Sequence, residues 1–223
     1  MTAAGVQSSP SGAVPAPAAA RPAVAWLRLA WLYAVSRRVP AALGLLAALG
    51  CLLWAALHWR WNIAGGPAAR QFFALSIETG AAAVMAVTTY GPFGEPERAT
   101  GRWLPWLRLA VALALTAAAF GALAAGATGG ALPGGTAALL RDLAGLTGTG
   151  LLAAAVLGGA FGWAGPMAYL LITLTALSQG WTTPWIWPAR PPRDLGAALC
   201  ASAVFAAGIV AVTVLGARDP GRR

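Results

Sequence analysis

Six stretches of this 223-residue chain, about 41–59, 70–90, 107–127, 143–162, 166–181 and 195–217, run almost without charge. All but the fifth reach the roughly 17 to 25 residues that an α-helix needs to cross a bilayer core of about 30 Å. Backbone in hydrocarbon has to satisfy its own hydrogen bonds, so such stretches predict an all-α integral membrane protein with about six transmembrane helices. Composition points the same way: 59% of the residues are hydrophobic and 9% charged, too little polar surface to coat a soluble globule. The fifth stretch, PMAYLLITLTALSQGW, is short and carries Thr173, Thr175, Ser178 and Gln179, which predicts that it runs against other helices rather than against lipid.

Around these spans the chain divides simply. Residues 1–22, rich in Ala, Pro, Ser and Gly, read as a disordered cytoplasmic tail, since they lack the basic start and apolar centre of a signal peptide. Residues 23–39 contain VAWLRLAWLYAVSRR, about 22 Å of helix, too short and too basic to cross; an interfacial helix is expected. Pro40 suits the first turn of the next helix, residues 40–217 form the six-span domain, and 218–223 a basic cytoplasmic tail. Arginine placement sets the orientation. With the N-terminus inside, Arg21, Arg28, Arg37, Arg38, Arg98, Arg102, Arg108, Arg218, Arg222 and Arg223 are cytoplasmic, against Arg60, Arg70, Arg141, Arg190 and Arg193 outside. This bias predicts N-in and C-in, and tryptophans at Trp59, Trp61, Trp103, Trp106, Trp181, Trp185 and Trp187 fall at the boundaries that layout implies.

Several function classes are disfavoured by the same residues. The net charge is +9, but the arginines occur singly or in pairs between apolar runs, as topology signals do and a nucleic-acid patch does not, so no nucleic-acid partner is expected. There is no lysine, so the chain cannot supply a P-loop of its own. Cys51 and Cys200 sit in apolar runs, and the sole histidine, His58, stands beside Trp59 and Arg60 at a span end, so neither a disulfide, a metal site nor a cofactor is expected. No nucleophile, base and orienting acid assemble, and an enzyme is not predicted.

Three features remain. Glu78 is the only acid inside a predicted span, and a charged carboxylate at mid-bilayer costs about 2.5 to 3.5 kcal/mol, so it is either a protonated or hydrogen-bonded helix contact, to Ser76, Thr79 or an outer Arg, or a translocation-path or proton-sensitive residue facing the bundle or a dimer interface. The glycines of GLTGTG and of Gly158-x-x-x-Gly162 suit close helix packing, because no strand precedes them as a phosphate loop would require. Third, the connection GPFGEPERATGRWLPWLR, residues 91–108, is longer than a hairpin reversal needs and concentrates Glu95, Glu97, Arg98 and Arg102. A topology-fixing loop or a docking surface would both look like this.

The order Glu97-Arg98-x-x-Gly101, then Pro105 and Arg108 entering the next span, resembles the coupling segment of type-2 ABC exporter permeases. An interfacial helix ending in Arg37 and Arg38, six spans, and a Trp/Pro-rich connection before the last span fit the same plan. The resemblance implies a permease subunit of an ATP-driven exporter in a bacterial plasma membrane, paired with itself or a related chain. It also implies that a separate cytoplasmic ABC ATPase docks on Glu95, Glu97, Arg98, Gly101 and Arg102, while Glu78 lines the path. That family places short re-entrant helices before its last span, and WTTPWIWPARPPRD, 181–194, is too short for two. The other readings are a non-transporting membrane scaffold and a stand-alone carrier coupled through Glu78.

Overall fold

The computed structural model describes residues 31, 32, 34, 35, 38–58, 66–88, 104–130, 132, 134–181 and 183–215. Among the described residues, six helices make up the bundle: α1 (Val39–His58), α2 (Gly66–Thr88), α3 (Leu104–Gly126), α4 (Gly135–Leu157), α5 (Ala164–Ser178) and α6 (Leu195–Leu215). Short 3₁₀ turns lie at Gly159–Phe161, before α5, and at Trp187–Ala189, before α6. Six segments are long and apolar enough to cross a membrane, the fifth only when that first turn is joined to α5 as Gly159–Ser178. The chain is a multi-pass, all-α membrane protein. Of the expected interfacial helix, Trp31, Leu32, Ala34 and Val35 are helical, and Arg38, with φ of 56°, turns the chain into α1.

Hydropathy sorts the helices radially. α2 and α4 have the lowest mean hydropathy of the spans, 1.3 each, against 2.1, 2.0 and 2.4 for α1, α3 and α6, and they are the most buried. α4 packs on α2, α3, α5 and α6, and its buried surface mixes small residues such as Ala138, Gly145, Gly148 and Ala154 with the leucines Leu139, Leu143, Leu146 and Leu151. The outer helices instead present large apolar side chains such as Leu45, Trp54, Leu171, Leu199 and Val214, a surface tolerable only against lipid.

Helices in lipid gain little from apolar contact alone, so close backbone approach has to hold them. The glycines do this at two crossings. A Cβ on Gly148 of α4 would meet backbone atoms of Val204 and Phe205 on α6 at 2.6 Å, and one on Gly208 of α6 would meet the Gly148 carbonyl oxygen at 2.7 Å. α1 and α3 cross similarly, Gly50 against Ala122 and Gly126.

Two expectations are corrected. The fourth span begins at Gly135 and ends at Leu157, where Gly158 (φ 106°) breaks the helix, so Arg141 and Asp142 lie inside it rather than in an outer loop. Glu78 is therefore not the only acid in a span, and Arg141 drops out of the outer side of the arginine tally without reversing the bias. α5 is not screened from lipid: Met167, Leu171 and Ile172 are exposed, and only one face, with Pro166, Tyr169, Thr173 and Ala176, is buried. Two of its hydroxyls need no neighbouring helix, because Thr175 and Ser178 donate to carbonyls of their own helix, those of Ile172 and Thr175, whereas Thr173 is on the buried face.

Candidate functional site

The N-terminal halves of α2 and α4 lie together and line an open cavity of about 170 Å³. Gln71, Leu75 and Glu78 line it from α2, Ala138, Arg141 and Asp142 from α4, and Pro188, Arg190 and Pro192 from the α5–α6 connection. Spacing explains the line-up on α2: positions 71, 75 and 78 follow the i, i+4, i+7 stripe of one helix face.

The charged groups here are withdrawn from solvent. Relative exposure is 5% for Glu78, 7% for Arg141 and 8% for Asp142. Neighbours on a helix diverge by about 100°, yet the long Arg141 side chain swings across to donate from Nε to Asp142 Oδ1 at 2.9 Å. Its other nitrogens reach the connection, Nη1 to the Pro191 carbonyl at 2.8 Å and Nη2 to that of Arg190 at 3.4 Å. Glu78 is treated differently, since its Oε2 has no hydrogen-bond partner. Neither neighbour suggested by sequence supplies one: Ser76 donates to the Phe72 carbonyl and Thr79 to that of Leu75.

The connection over the cavity is strapped down from three helices. Gln71 Nε2 on α2 donates to the Pro188 carbonyl at 3.1 Å, Tyr169 Oη on α5 to that of Trp185 at 2.8 Å, and Arg141 on α4 to those of Pro191 and Arg190. Tyr169 stacks on Trp187 with centroids 4.3 Å apart, and Gly145 of α4 leaves the space that the Trp187 indole fills.

Asp194 closes the strap. It is the N-cap of α6, its Oδ1 accepting from the Ala197 N–H at 3.1 Å, and it pairs with Arg190. The Ala197 N–H bond, then the Arg190 guanidinium, hold its carboxyl below the ordinary value of 3.8. A carboxyl depressed on folding adds stability that is complete above its unfolded value and is lost as the pH falls through the folded one. Asp194→Asn, which keeps the cap and loses the charge, is therefore expected to melt slightly below wild type at neutral pH, the gap closing below about pH 4. Melting curves of the detergent-purified pair against pH check this; a gap that persists in acid contradicts it.

Of the residues singled out by sequence, Glu78 is in this cavity. Glu95, Glu97, Arg98, Gly101 and Arg102 lie outside the described residues. His58 donates from Nδ1 to the Trp54 carbonyl at 2.9 Å and stacks on Trp54, a helix-end contact. Sequence reasoning missed Arg141 and Asp142; the signal available was a pair of opposite charges set between leucines in Leu139-Leu140-Arg141-Asp142-Leu143. Among the described residues, no group of three His, Cys, Asp or Glu converges as a metal site. No family model matches the chain, and no curated protein or solved structure shows significant similarity to it.

Proposed function

We propose that the chain is a transmembrane permease subunit of an ATP-driven exporter in a bacterial plasma membrane, working with a second permease chain and a separate cytoplasmic ATPase. The observation that carries the reading is the position of α2. Its first half lines the charged cavity, and its last residue, Thr88, leads directly into the segment that bears Glu95, Glu97, Arg98 and Arg102. Glu78 and Thr88 are ten residues apart, about 15 Å of continuous helix. A push on the acidic and basic segment by a closing ATPase therefore has a stiff lever to the cavity. In the N-in orientation that cavity faces outward, where an exporter releases its cargo.

The test is charge reversal. Glu95→Arg with Glu97→Arg is expected to abolish retention of an ATPase of nucleotide-binding-domain size in a mild-detergent pull-down, because apposed charges across a docking site matter by several kcal/mol. On this reading the melting point should hold, since substitutions away from packed helices usually cost within about 0.5 kcal/mol. Retained binding demotes the segment to a topology signal, and a wild type that never retains an ATPase rejects the reading.

One observation favours a second reading, a stand-alone carrier: a buried carboxylate with an unpartnered oxygen is what ion-coupled transport uses. It requires transport by the purified chain alone, in vesicles with no ATPase.

A further inference from the structure

We propose that the cavity between α2 and α4 binds a small monovalent cation, an alkali ion of about sodium's size, with the Glu78 carboxylate as its charged ligand. The first ground is charge. Two carboxylates, Glu78 and Asp142, and two guanidiniums, Arg141 and Arg190, line the cavity, but Arg190 is already paired with a third carboxylate, Asp194. Glu78 is thus the carboxylate with no guanidinium paired to it. Arg141 has committed Nε to Asp142 and both terminal nitrogens to carbonyls. Glu78 Oε2 is buried and unpartnered, and when ionised it needs one positive charge from elsewhere. A buried carboxylate without a counter-charge is among the costliest groups a membrane helix can carry.

The second ground is the kind of atom offered. Besides the two carboxylates, Gln71 faces the cavity with its Nε2 already donated to the Pro188 carbonyl, which leaves its amide oxygen as an acceptor. Carboxylate, amide and main-chain carbonyl oxygens are hard ligands that suit alkali and alkaline-earth ions rather than transition metals. A single carboxylate without a cationic partner suits a monovalent ion rather than a divalent one. Helix dipoles do not oppose it, since Glu78 lies twelve residues into α2 and Asp142 seven into α4, beyond the first turn where the dipole acts.

The third ground is room. A water molecule takes about 30 Å³ of liquid, so a cavity of about 170 Å³ has room for such an ion with a few waters. The inference draws on the proposed function only for the direction the cavity faces. An ATPase partner is not needed for it, so the pull-down and the ion titration fail independently.

The test uses the full chain in mild detergent, washed free of sodium, with NaCl titrated against N-methyl-D-glucamine chloride at constant ionic strength and fixed pH. Melting temperature and tryptophan fluorescence are read together, because Trp187 directly precedes the cavity-lining Pro188. A ligand bound only by the folded state raises the melting point by mass action, here by roughly 3 to 5 °C at about 100 mM sodium, and the fluorescence change should saturate. Glu78→Asp should keep the response with weaker affinity, and Glu78→Gln should lose it. If Glu78→Gln does not fold, Gln71→Leu serves instead, with affinity reduced about tenfold. Identical melting of wild type in the two salts overturns the proposal, as a proton-only site would give. A sodium response that survives Glu78→Gln overturns it equally.

Discussion

Arg141→Met is expected to destabilise the purified protein severely, lowering its melting point by roughly 6 to 20 °C. Methionine retains most of the buried stem but removes every donor. Asp142, at 8% exposure, then has to bear an unpaired charge in the bundle or take up a proton, and the Pro191 and Arg190 carbonyls lose their donor. Breaking a buried ion pair on one side costs about 3 to 5 kcal/mol, and each kcal/mol moves the melting point of a chain this size by about 2 to 4 °C. The double variant Arg141→Met with Asp142→Leu should recover much of the loss, because an apolar pair of similar volume carries no orphaned charge. A single variant that melts within about 2 °C of wild type would falsify the view that this pair is buried and coupled.

Gly148→Leu is expected to have an effect of similar size by a different route. The side chain has to enter where α4 and α6 touch backbone to backbone, and a Cβ would already lie 2.6 Å from main-chain atoms of Val204 and Phe205. Main chain in a helix has no rotamer with which to yield, so the two helices must part. Overpacking typically costs about 1 to 3 kcal/mol and here belongs at or above the top of that range. Gly44→Leu is the control: nothing lies within 4 Å of its Cβ, it is exposed on α1, and helix propensity favours the change. The measurement is the melting point and the elution profile of each variant in the same detergent. Equal behaviour of the Gly148 and Gly44 variants rejects the crossing.

The spans were legible because lipid demands length and hydropathy together, and α1, α3 and α6 satisfy both. Legibility fell at α4, the helix surrounded by protein. A helix that touches α2, α3, α5 and α6 does not have to be greasy, so its first two turns, GTAALLRD, resemble a loop end, and the span was placed from Leu143. The same blindness hid Arg141 and Asp142. Glu78 stood out because its surroundings on α2 are apolar, but its relation to α4 depends on which helices lie side by side, which no local pattern records. The opposite error occurred at α5, where hydroxyls suggested a protected helix although Thr175 and Ser178 satisfy themselves on their own backbone.

Besides the Arg190–Asp194 pair and the seated Trp187 ring, the straps on the connection grip main-chain carbonyls: those of Trp185, Pro188, Arg190 and Pro191. A carbonyl is common to every amino acid, so several side chains of the connection are free to change by mutation while the fastening persists. Exposed Trp181 and Trp185 are open to such drift, whereas Gln71, Arg141 and Tyr169, which hold the other end of each bond, are not. Exposed side chains of the connection can thus be rewritten one residue at a time without the bundle beneath having to be reinvented.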